Sequence, residues 1–422
     1  MNLLVSMKLS QLFTKTSKTA AADADSINAK LLTQAGFIYK QMAGVYIFLP
    51  LGLRVLNKIE QIIREEMNAV GGNEVLMPTL TLEENYEITG RDKSLADVFY
   101  HTSGAGESKI VLNPTHEEIV TPLVQKFVFS YQDLPRSVYQ FQTKFRNEAR
   151  AKSGLLRGRE FRMKDMYSFH TNEKDLDIYY DEVIKAYFKV YDRLGLGSGR
   201  TILTYASGGA FSKYSHEYQT LAEVGEDTVY ICEKCQVAVN KEIINEQNVC
   251  PKCGSKEFKE EKAIEVGNIF KLMDKFTKPF KFFYQDEKGV QQVAQMGCYG
   301  IGPSRIMGTL VEVFHDDKGI IWPESVAPYK VCLMSLGKEE ESKEEAEKIY
   351  KKLLAKGVEV LFDDRENASA GEKLADADLI GLPYRVVVSK KTMEKGGVEV
   401  KARNSEEAEI MTVEELLKKM SK

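Results

Sequence analysis

Two separated stretches hold the side chains best suited to chemistry. The first is Phe145-Arg146-Asn147-Glu148, followed after a short basic loop by Arg157-Gly158-Arg159-Glu160-Phe161. The second is Gly297-Cys298-Tyr299-Gly300-Ile301-Gly302-Pro303-Ser304-Arg305. Between Thr143 and Lys164 eight Lys or Arg stand against two Asp or Glu, a local excess of positive charge in a chain whose formal net charge is −4. Planar, permanently charged guanidinium forks suit a polyphosphate better than ammonium groups do. Arg146, Arg157 and Arg305 are therefore candidate ligands of a nucleoside triphosphate. Phe161 offers a face for adenine, and Arg305 would stack on the other face or reach the γ-phosphate. Glu148 could accept a hydrogen bond from an exocyclic amine, which selects adenine over guanine. Gly297, Gly300 and Gly302 would remove side chains where backbone passes close to a ligand or takes positive φ. Neither stretch suffices alone. Arg-x-Glu is short, Gly-x-x-Gly-x-Gly lacks the strand–helix context of a dinucleotide fold, and the basic segment alone reads equally well as a solvated loop.

Four of the six cysteines form Cys232-x2-Cys235 and Cys250-x2-Cys253, fourteen residues apart. This is the spacing of a zinc ribbon, in which two knuckles bring four thiolates to one tetrahedral Zn²⁺. Four thiolates leave no open coordination position, so the expected role is to staple a small insert; a vestigial site is the alternative.

The two charged stretches resemble motifs 2 and 3 of the class II aminoacyl-tRNA synthetases. Five words in order are similar to prolyl-tRNA synthetases of the bacterial type: Asn113-Pro114-Thr115-His116-Glu117-Glu118, Thr143–Glu148, Leu155–Phe161, Met163–His170 and Met296–Arg305. The similarity runs from about Leu9 to the C-terminus and is interrupted around Cys232–Glu261. It implies that the carboxylate of L-proline attacks the α-phosphorus of ATP, with prolyl transfer to tRNA(Pro) following. That carboxylate is already ionised, so the work is positioning and charge stabilisation rather than base catalysis. On this reading Arg146 bridges the proline carboxylate and the α-phosphate, and Arg305 holds the far end of the triphosphate. Arg146, Glu148, Arg157, Phe161, Gly300, Gly302 and Arg305 contact ATP, and Mg²⁺ screens the phosphates through ligands the sequence does not specify. Thr115, Glu117, Arg146 and Cys298 line the proline pocket, with Glu117 receiving the secondary ammonium.

Plainer readings stand beside these. Pro-Thr-x-x-Glu at 114–118 is also a capping box, in which Glu118 would cap while Glu117 points inward. Cys298 is either a pocket wall or an inert buried thiol, and His170 and His216 are either near the chemistry or structural hydrogen-bonders. Ser215-His216-Glu217 does not form a hydrolytic triad. Asn268 stands where many relatives carry histidine.

The elements that would position these residues are only partly readable. Residues 23–45 read as a helix and a turn. Leu56, Ile59, Ile62, Ile63, Met67 and Val70 recur at helical spacing, stopped by Gly71-Gly72, with a strand Glu74–Met77 and Pro78 beyond. These resemble motif 1, which implies a homodimer interface; a plain core helix with an edge strand is the alternative. Strand-like runs follow at Val98–His101, Lys109–Leu112, Ser137–Phe145 and Glu160–His170, with helices at 116–130 and 173–194, and a glycine-rich loop at 195–209. The order predicts an α+β fold: an antiparallel sheet flanked by helices. The expected division is a catalytic core over 1–225 and 262–325, a cysteine-rich insert at 226–261, and an α/β anticodon-binding-type domain at 326–422. Within that last part, strands are expected at 330–336, 358–362, 384–389 and 397–402, with helices at 338–356, 370–380 and 412–420.

The composition, 43% hydrophobic and 28% charged, is that of an ordinary globular protein. No apolar run approaches the ~20 residues needed to span a bilayer. Met1–Ser6 lacks a basic leader region, and Met7 is an alternative start, so a cytoplasmic protein with no membrane or DNA partner is expected. Val326–Lys422 is not basic, so RNA would be read there by shape and specific contacts. The interval between motifs 2 and 3 lacks the large insertion that many bacterial relatives use to hydrolyse mischarged alanyl-tRNA, so editing in cis is not expected. Three rivals remain at this stage: a threonyl- or glycyl-type synthetase, a catalytically silent relative, and a nucleic-acid-binding module built on the cysteine knuckles.

Overall fold

The computed structural model describes residues 6–20, 24–197, 199–337 and 339–421. Of the alternative starts, residues 1–5 lie outside these. The chain forms two compact units. One comprises 42–45 and 59–309; the other gathers 1–41, 46–58 and 310–422.

The unit of 59–309 is built on a nine-stranded sheet. Its strands are β2 (Asn73–Glu74), β3 (Arg136–Phe145), β4 (Glu160–His170), β5 (Thr201–Ser207), β6 (Tyr214–Leu221), β7 (Asp227–Cys232), β8 (Ala238–Asn240), β9 (Phe258–Met273) and β10 (Gln295–Ile301), numbered after an N-terminal strand β1 (Ser6–Lys8) of the other unit. The order is β6-β5-β8-β7-β9-β10-β4-β3-β2, with β6 also paired to β9. All pairings are antiparallel except β5–β8 and β2–β3. The pairings β6–β5–β8–β7–β9–β6 therefore close a ring of five strands on one side of the sheet. The centre is laid down by the β3–β4 hairpin, ten residues in register from Arg136↔Phe169 to Phe145↔Glu160. The antiparallel sheet expected from the sequence is thus present. Helix α3 (Glu173–Arg193), capped by Asn172 accepting from the Asp175 amide, buries Leu176, Val183, Tyr187 and Tyr191. A core of Val120, Phe169, Phe276, Met296 and their neighbours fills the space around β4 and β10.

The other unit carries a six-stranded sheet: β1, β11 (Val331–Ser335), β12 (Val360–Asp363), β13 (Tyr384–Val388), β14 (Val398–Ala402) and β15 (Ala408–Met411), in the order β1-β12-β11-β13-β14-β15. Helices at Glu340–Ala355, Ala370–Ile380 and Val413–Met420 accompany it, close to the expected α/β pattern. Val331, Leu333, Ile349, Leu353, Val386 and Leu416 form its core.

Four expectations need correction. The helix over 23–45 runs only from Ile27 to Gln34, and Ile38–Met42 with Val45–Phe48 form a hairpin turned by Ala43-Gly44. The aromatic and β-branched residues Tyr39, Tyr46 and Ile47 favour extended backbone, and Gly44 supplies φ 75°. The strand at 74–77 is cut to Asn73–Glu74, prolonged by one bond from the Val75 amide to the Tyr139 carbonyl before Pro78. Val98–His101 divides into a 3-10 turn and a strand over Tyr100–Ser103. The loop expected over 195–209 contains β5, whose Thr201-Ile202-Leu203-Thr204-Tyr205 run pairs with β6 along its whole length. The flanking glycines masked a β-branched core. The long helix Pro50–Ala69 forms as expected.

Candidate active site

The loop between β3 and β4 is folded back on itself. Arg146 donates its backbone N–H to the Arg159 carbonyl at 2.9 Å, and Arg159 donates to the Gly44 carbonyl at 2.7 Å. A Cβ on Gly44 would meet Ala151 Cβ at 2.6 Å, so only glycine permits that approach. The loop and the ends of β4, β6, β9 and β10 enclose a cavity of about 360 Å³. The residues assigned in the sequence to the nucleotide and proline sites all line it: Thr115, Glu117, Arg146, Glu148, Arg157, Phe161, Cys298, Gly300, Gly302 and Arg305. Residues 146 and 305, far apart in the chain, thus share one space.

At the mouth, the Arg146 guanidinium lies 5.2 Å over the Phe161 ring. Arg305 donates from one guanidinium nitrogen to the Glu265 carbonyl at 2.9 Å and to its carboxylate at 3.0 Å. Among the described residues Arg146 has no carboxylate partner. Burial, and then the nearby Arg305 charge, hold its pKa below the usual arginine value. Arg157 is paired to Glu148 at 2.9 Å and to Glu226 at 3.2 Å, so Glu148 meets a cation as well as the cavity.

At the floor, Thr115 donates to Glu117 Oε2 at 2.6 Å and the Cys298 thiol to Oε1 at 3.5 Å. Helix α2 (Glu117–Gln125) begins here, but His116 is its N-cap and gives no side-chain cap. The expected capping box is absent: Glu118 turns to Thr89 at 2.8 Å and to Arg91 at 3.1 Å. Arg91 also donates to Glu117 at 3.0 Å, so one buried guanidinium clamps both carboxylates. Burial raises the Glu118 pKa to about 7, against the lowering effect of Arg91. For Arg91, burial opposes the charge, but Glu118 and Glu117 outweigh it and raise the pKa. Burial pushes the Cys298 thiol well up, with Glu117 adding to it. That thiol is a neutral wall, not a nucleophile.

Beneath the floor, Lys144 pairs with Asp165 at 2.8 Å, and Asp165 also accepts from Tyr167 and Gln140 at 3.0 Å each. His116 Nε2 donates to the Pro78 carbonyl at 2.9 Å and Nδ1 accepts from Lys144. Burial, then the Lys144 charge, lowers its pKa to about 4, so the ring is neutral at pH 7.

Along the remaining wall, Glu217 on β6 accepts from Gln219 at 2.9 Å, Asn240 at 3.0 Å and Asn268 at 3.3 Å. Burial, then the Glu265 charge, raises its pKa to about 8. Asn268 Oδ1 is buried without a hydrogen-bond partner. The three glycines are all outside the positive-φ region, contrary to one expectation. A Cβ on Gly297 would meet Tyr299 and Ser168 within 3 Å, whereas on Gly300 the nearest protein atom is 3.6 Å away. Gly297 is thus explained by packing and Gly300 by the room it leaves in the cavity.

Both histidines take their structural reading. His170 bonds Ser168 at 2.9 Å and faces Asp175, and His216 bonds Tyr180 at 2.8 Å; neither lines the cavity. Ser215 bonds the Ser207 carbonyl, not His216. Arg91, Asp165, Glu217, Glu265 and Asn240 were missed as site residues. For Glu217 and Gln219 a signal existed, since polar residues two apart on a strand share one face. Arg91, amid the charged run at 83–93, carried none. The four cysteines meet: their sulfurs lie within 4.8 Å of one another, and none is in a disulfide.

The class II core model for G, H, P, S and T tRNA synthetases matches residues 100–314, and an anticodon-binding domain model matches 330–422. The chain is 39% identical to the proline–tRNA ligase of Anaplasma phagocytophilum (strain HZ), over 98% of this chain and 100% of that one. It is likewise 39% identical to that of a Wolbachia strain from Drosophila simulans (wRi), again over 98% and 100%. With the Dehalococcoides mccartyi (strain CBDB1) proline–tRNA ligase the identity is 31%, over 98% of each chain, but the alignment extends over 563 positions. Many positions of that relative therefore face no residue here. Among solved structures, Giardia lamblia prolyl-tRNA synthetase in complex with prolyl-adenylate superposes with a TM-score of 0.77 at 20% identity, covering 92% of this chain and 74% of that one. Cryptosporidium parvum prolyl-tRNA synthetase with L-proline and AMP gives 0.74 at 19%, covering 93% and 78%.

Proposed function

The chain belongs to the prolyl-tRNA synthetases of class II, and from that membership we propose which of its groups bind, orient and stabilise the reactants. It is an aminoacyl-tRNA synthetase that activates proline with ATP and transfers it to tRNA. The observation that carries the residue assignment is the meeting of Arg146 and Arg305 at one cavity whose floor is the Glu117 carboxylate.

Glu117 receives the secondary ammonium of proline, with Thr115 and the neutral Cys298 thiol shaping the ring pocket. Arg146 spans the proline carboxylate and the α-phosphate. Among the described residues it is a cavity cation without a carboxylate partner, so an anionic ligand relieves both its desolvation and its repulsion from Arg305. As charge builds on the α-phosphoryl oxygens, the preorganised guanidinium stabilises it. Phe161 faces the adenine, Glu148 accepts from its exocyclic amine, Arg157, held by its ion pair with Glu148, supports the phosphates, and Gly300 and Gly302 give the nucleotide room. Arg305, anchored by Glu265, meets the far phosphates.

Glu217, Glu265 and the unpartnered Asn268 Oδ1 offer hard oxygen donors that fit Mg²⁺. When bound, the ion would neutralise phosphate charge. The four sulfurs fit Zn²⁺: the contacts Cys232–Cys253 at 3.5 Å and Cys235–Cys250 at 3.4 Å are too long for disulfides and near the ~3.8 Å edge of a tetrahedron with Zn–S of ~2.3 Å. That zinc would be structural.

The remaining assignments are extensions of the same reading. The core spans 1–225 and 262–325 around an insert at 226–261, and 326–422 bind the anticodon region of tRNA(Pro). Exposed Leu76, Leu80, Leu82, Phe127 and Phe129 support a homodimer. Among the described residues no helix is long and apolar enough to cross a membrane, in keeping with a cytoplasmic enzyme.

The test is amino-acid-dependent ATP–pyrophosphate exchange with all twenty amino acids. Proline alone should give strong exchange; a stronger signal with threonine or glycine overturns the assignment. We further propose that editing in cis is absent. Proline and alanine differ by little apolar area, so the pocket alone discriminates by roughly 10- to 200-fold per methylene-sized change. Purified protein should leave Ala-tRNA(Pro) intact at the rate of the uncatalysed reaction; faster deacylation would show an unrecognised editing site.

A further inference from the structure

The four-cysteine insert joins the substrate cavity through a very short strand. The first knuckle, Cys232 to Cys235, is closed by bonds from the Gln236 amide to the Cys232 carbonyl (3.0 Å) and from the Cys232 amide to the Val237 carbonyl (2.8 Å). Gln236 takes φ 59° to make this turn. The chain passes directly into β8, residues Ala238–Asn240, held by three register pairs to β7 and two to β5. Strands this short have few bonds of their own to fix them.

What β8 carries reaches the cavity. The Asn240 amide donates to Glu217 at 3.0 Å, and Asn240 is only 7% exposed. Two residues on, Glu242 accepts from the Ser207 amide at 2.9 Å, and Asn240 accepts from the Glu242 amide at 3.2 Å. Glu217, Ser207 and Glu242 all line the cavity. On the other side of the insert, β7 ends at Cys232, paired to Phe258 at the start of β9, the strand that bears Glu265 and Asn268. Cys232, Val237 and Cys250 pack with Tyr205 and Phe258 in a small cluster of their own. The metal ligands are therefore contiguous in chain with both strands that flank the Glu217–Asn268 wall.

We propose that metal binding at Cys232, Cys235, Cys250 and Cys253 fixes the register of β8, and that Asn240 and Glu242 thereby act as positioning residues for the Glu217 wall of the nucleotide end of the cavity. The insert is then part of the ATP site. Loss of the metal releases the knuckle, β8 frays, and Glu217 loses one of its three amide donors. Glu117, Thr115 and Cys298 lie on other elements and are not reached by this route, so ATP binding suffers and proline binding does not. The inference rests on the reading of the cavity as the ATP and proline site.

The experiment uses the full-length protein. Elemental analysis should give about one zinc per chain. The metal is then withdrawn with an organomercurial and EDTA, excess reagent is removed, and ATP and proline affinities are measured separately by calorimetry, with hydrogen exchange followed along the chain. Expected are a loss of ATP affinity of about tenfold or more, a change in proline affinity below about threefold, and faster exchange confined to the insert and β8 at 226–258 and to 201–207 and 214–221. An Asn240→Ala variant should keep its zinc and reproduce the ATP loss alone. A protein purified without metal yet binding ATP normally, a stripped protein with unchanged ATP affinity, exchange that rises equally throughout the chain on stripping, or an Asn240→Ala protein with native ATP affinity would each overturn the proposal. Failure of the untouched protein to bind proline or ATP would instead overturn the underlying reading of the cavity.

Discussion

Replacing Arg146 with alanine should lower proline-dependent ATP–pyrophosphate exchange by at least about a thousandfold in kcat/KM, close to 4 kcal/mol of transition-state stabilisation. The size follows from the electrostatics of the cavity. Arg146 is held in a partly desolvated position beside a second cation, with an aromatic face beneath it and no carboxylate partner among the described residues. Such an arrangement costs folding energy and is repaid only by an anion. The same reasoning predicts that the variant is no less stable than the parent when ATP is absent, and melts at the same or a slightly higher temperature, because the repulsion from Arg305 is gone. Arg146→Lys should recover little of the activity, since an ammonium cannot lie flat on Phe161 and bridge two oxygens at once. Exchange kinetics and a melting curve on the same preparation decide the matter. Activity within tenfold of the parent, or a large drop in melting temperature, would show that Arg146 is a structural residue.

The sequence revealed the poles of this site better than the structure between them. Arg146, Phe161, Glu117 and Arg305 could be picked out because their chemistry is distinctive and they lie within words that recur in the family. The β3–β4 hairpin was legible for a related reason: Tyr139, Phe141, Thr143 and Phe145 alternate with the polar Gln140, Gln142 and Lys144. Legibility fails where a residue's role is defined only by distant partners. Arg91 stands among ordinary helix charges, and nothing local says that its guanidinium passes between Phe211 and Phe276, 4.7 and 5.2 Å from their centroids, to reach Glu117 and Glu118. The hairpin at 38–48 and strand β5 were hidden by glycines, which punctuate loops and strands alike. Thr115-x-x-Glu118 looked like a cap, but a cap competes with any stronger partner, and a buried guanidinium is stronger than a backbone amide. The cysteines showed that they converge; that β8 links them to Glu217 is a matter of sheet order, which one-dimensional spacing does not contain.

Arg91 sets up the largest stability effect expected in the protein. It is 2% exposed, and both of its carboxylate partners are buried. Arg91→Met roughly preserves the stem and its contact with the two phenyl rings but leaves both acids without a counter-charge. Removing one partner of a buried ion pair typically costs about 3–5 kcal/mol, and here two acids are stranded. The penalty should depend on pH in a definite sense. Already in the parent, burial raises the Glu118 pKa from an ordinary 4.5 to about 7, so between those values the folded chain binds more protons than the unfolded one. Stability from this group is then full below the unfolded value and falls as pH rises toward the folded one. Without Arg91 that window extends upward, because the lowering influence of the guanidinium is lost. The variant should therefore be closer to the parent in urea midpoint near pH 5, where Glu118 is protonated, and far below it near pH 8. Proline KM should rise as well, since Glu117 loses a bond that orients it, while ATP KM should move little. Equal urea midpoints for parent and variant at pH 8 would mean that Glu117 and Glu118 do not depend on this one cation, and the account of the proline floor given above would have to be abandoned.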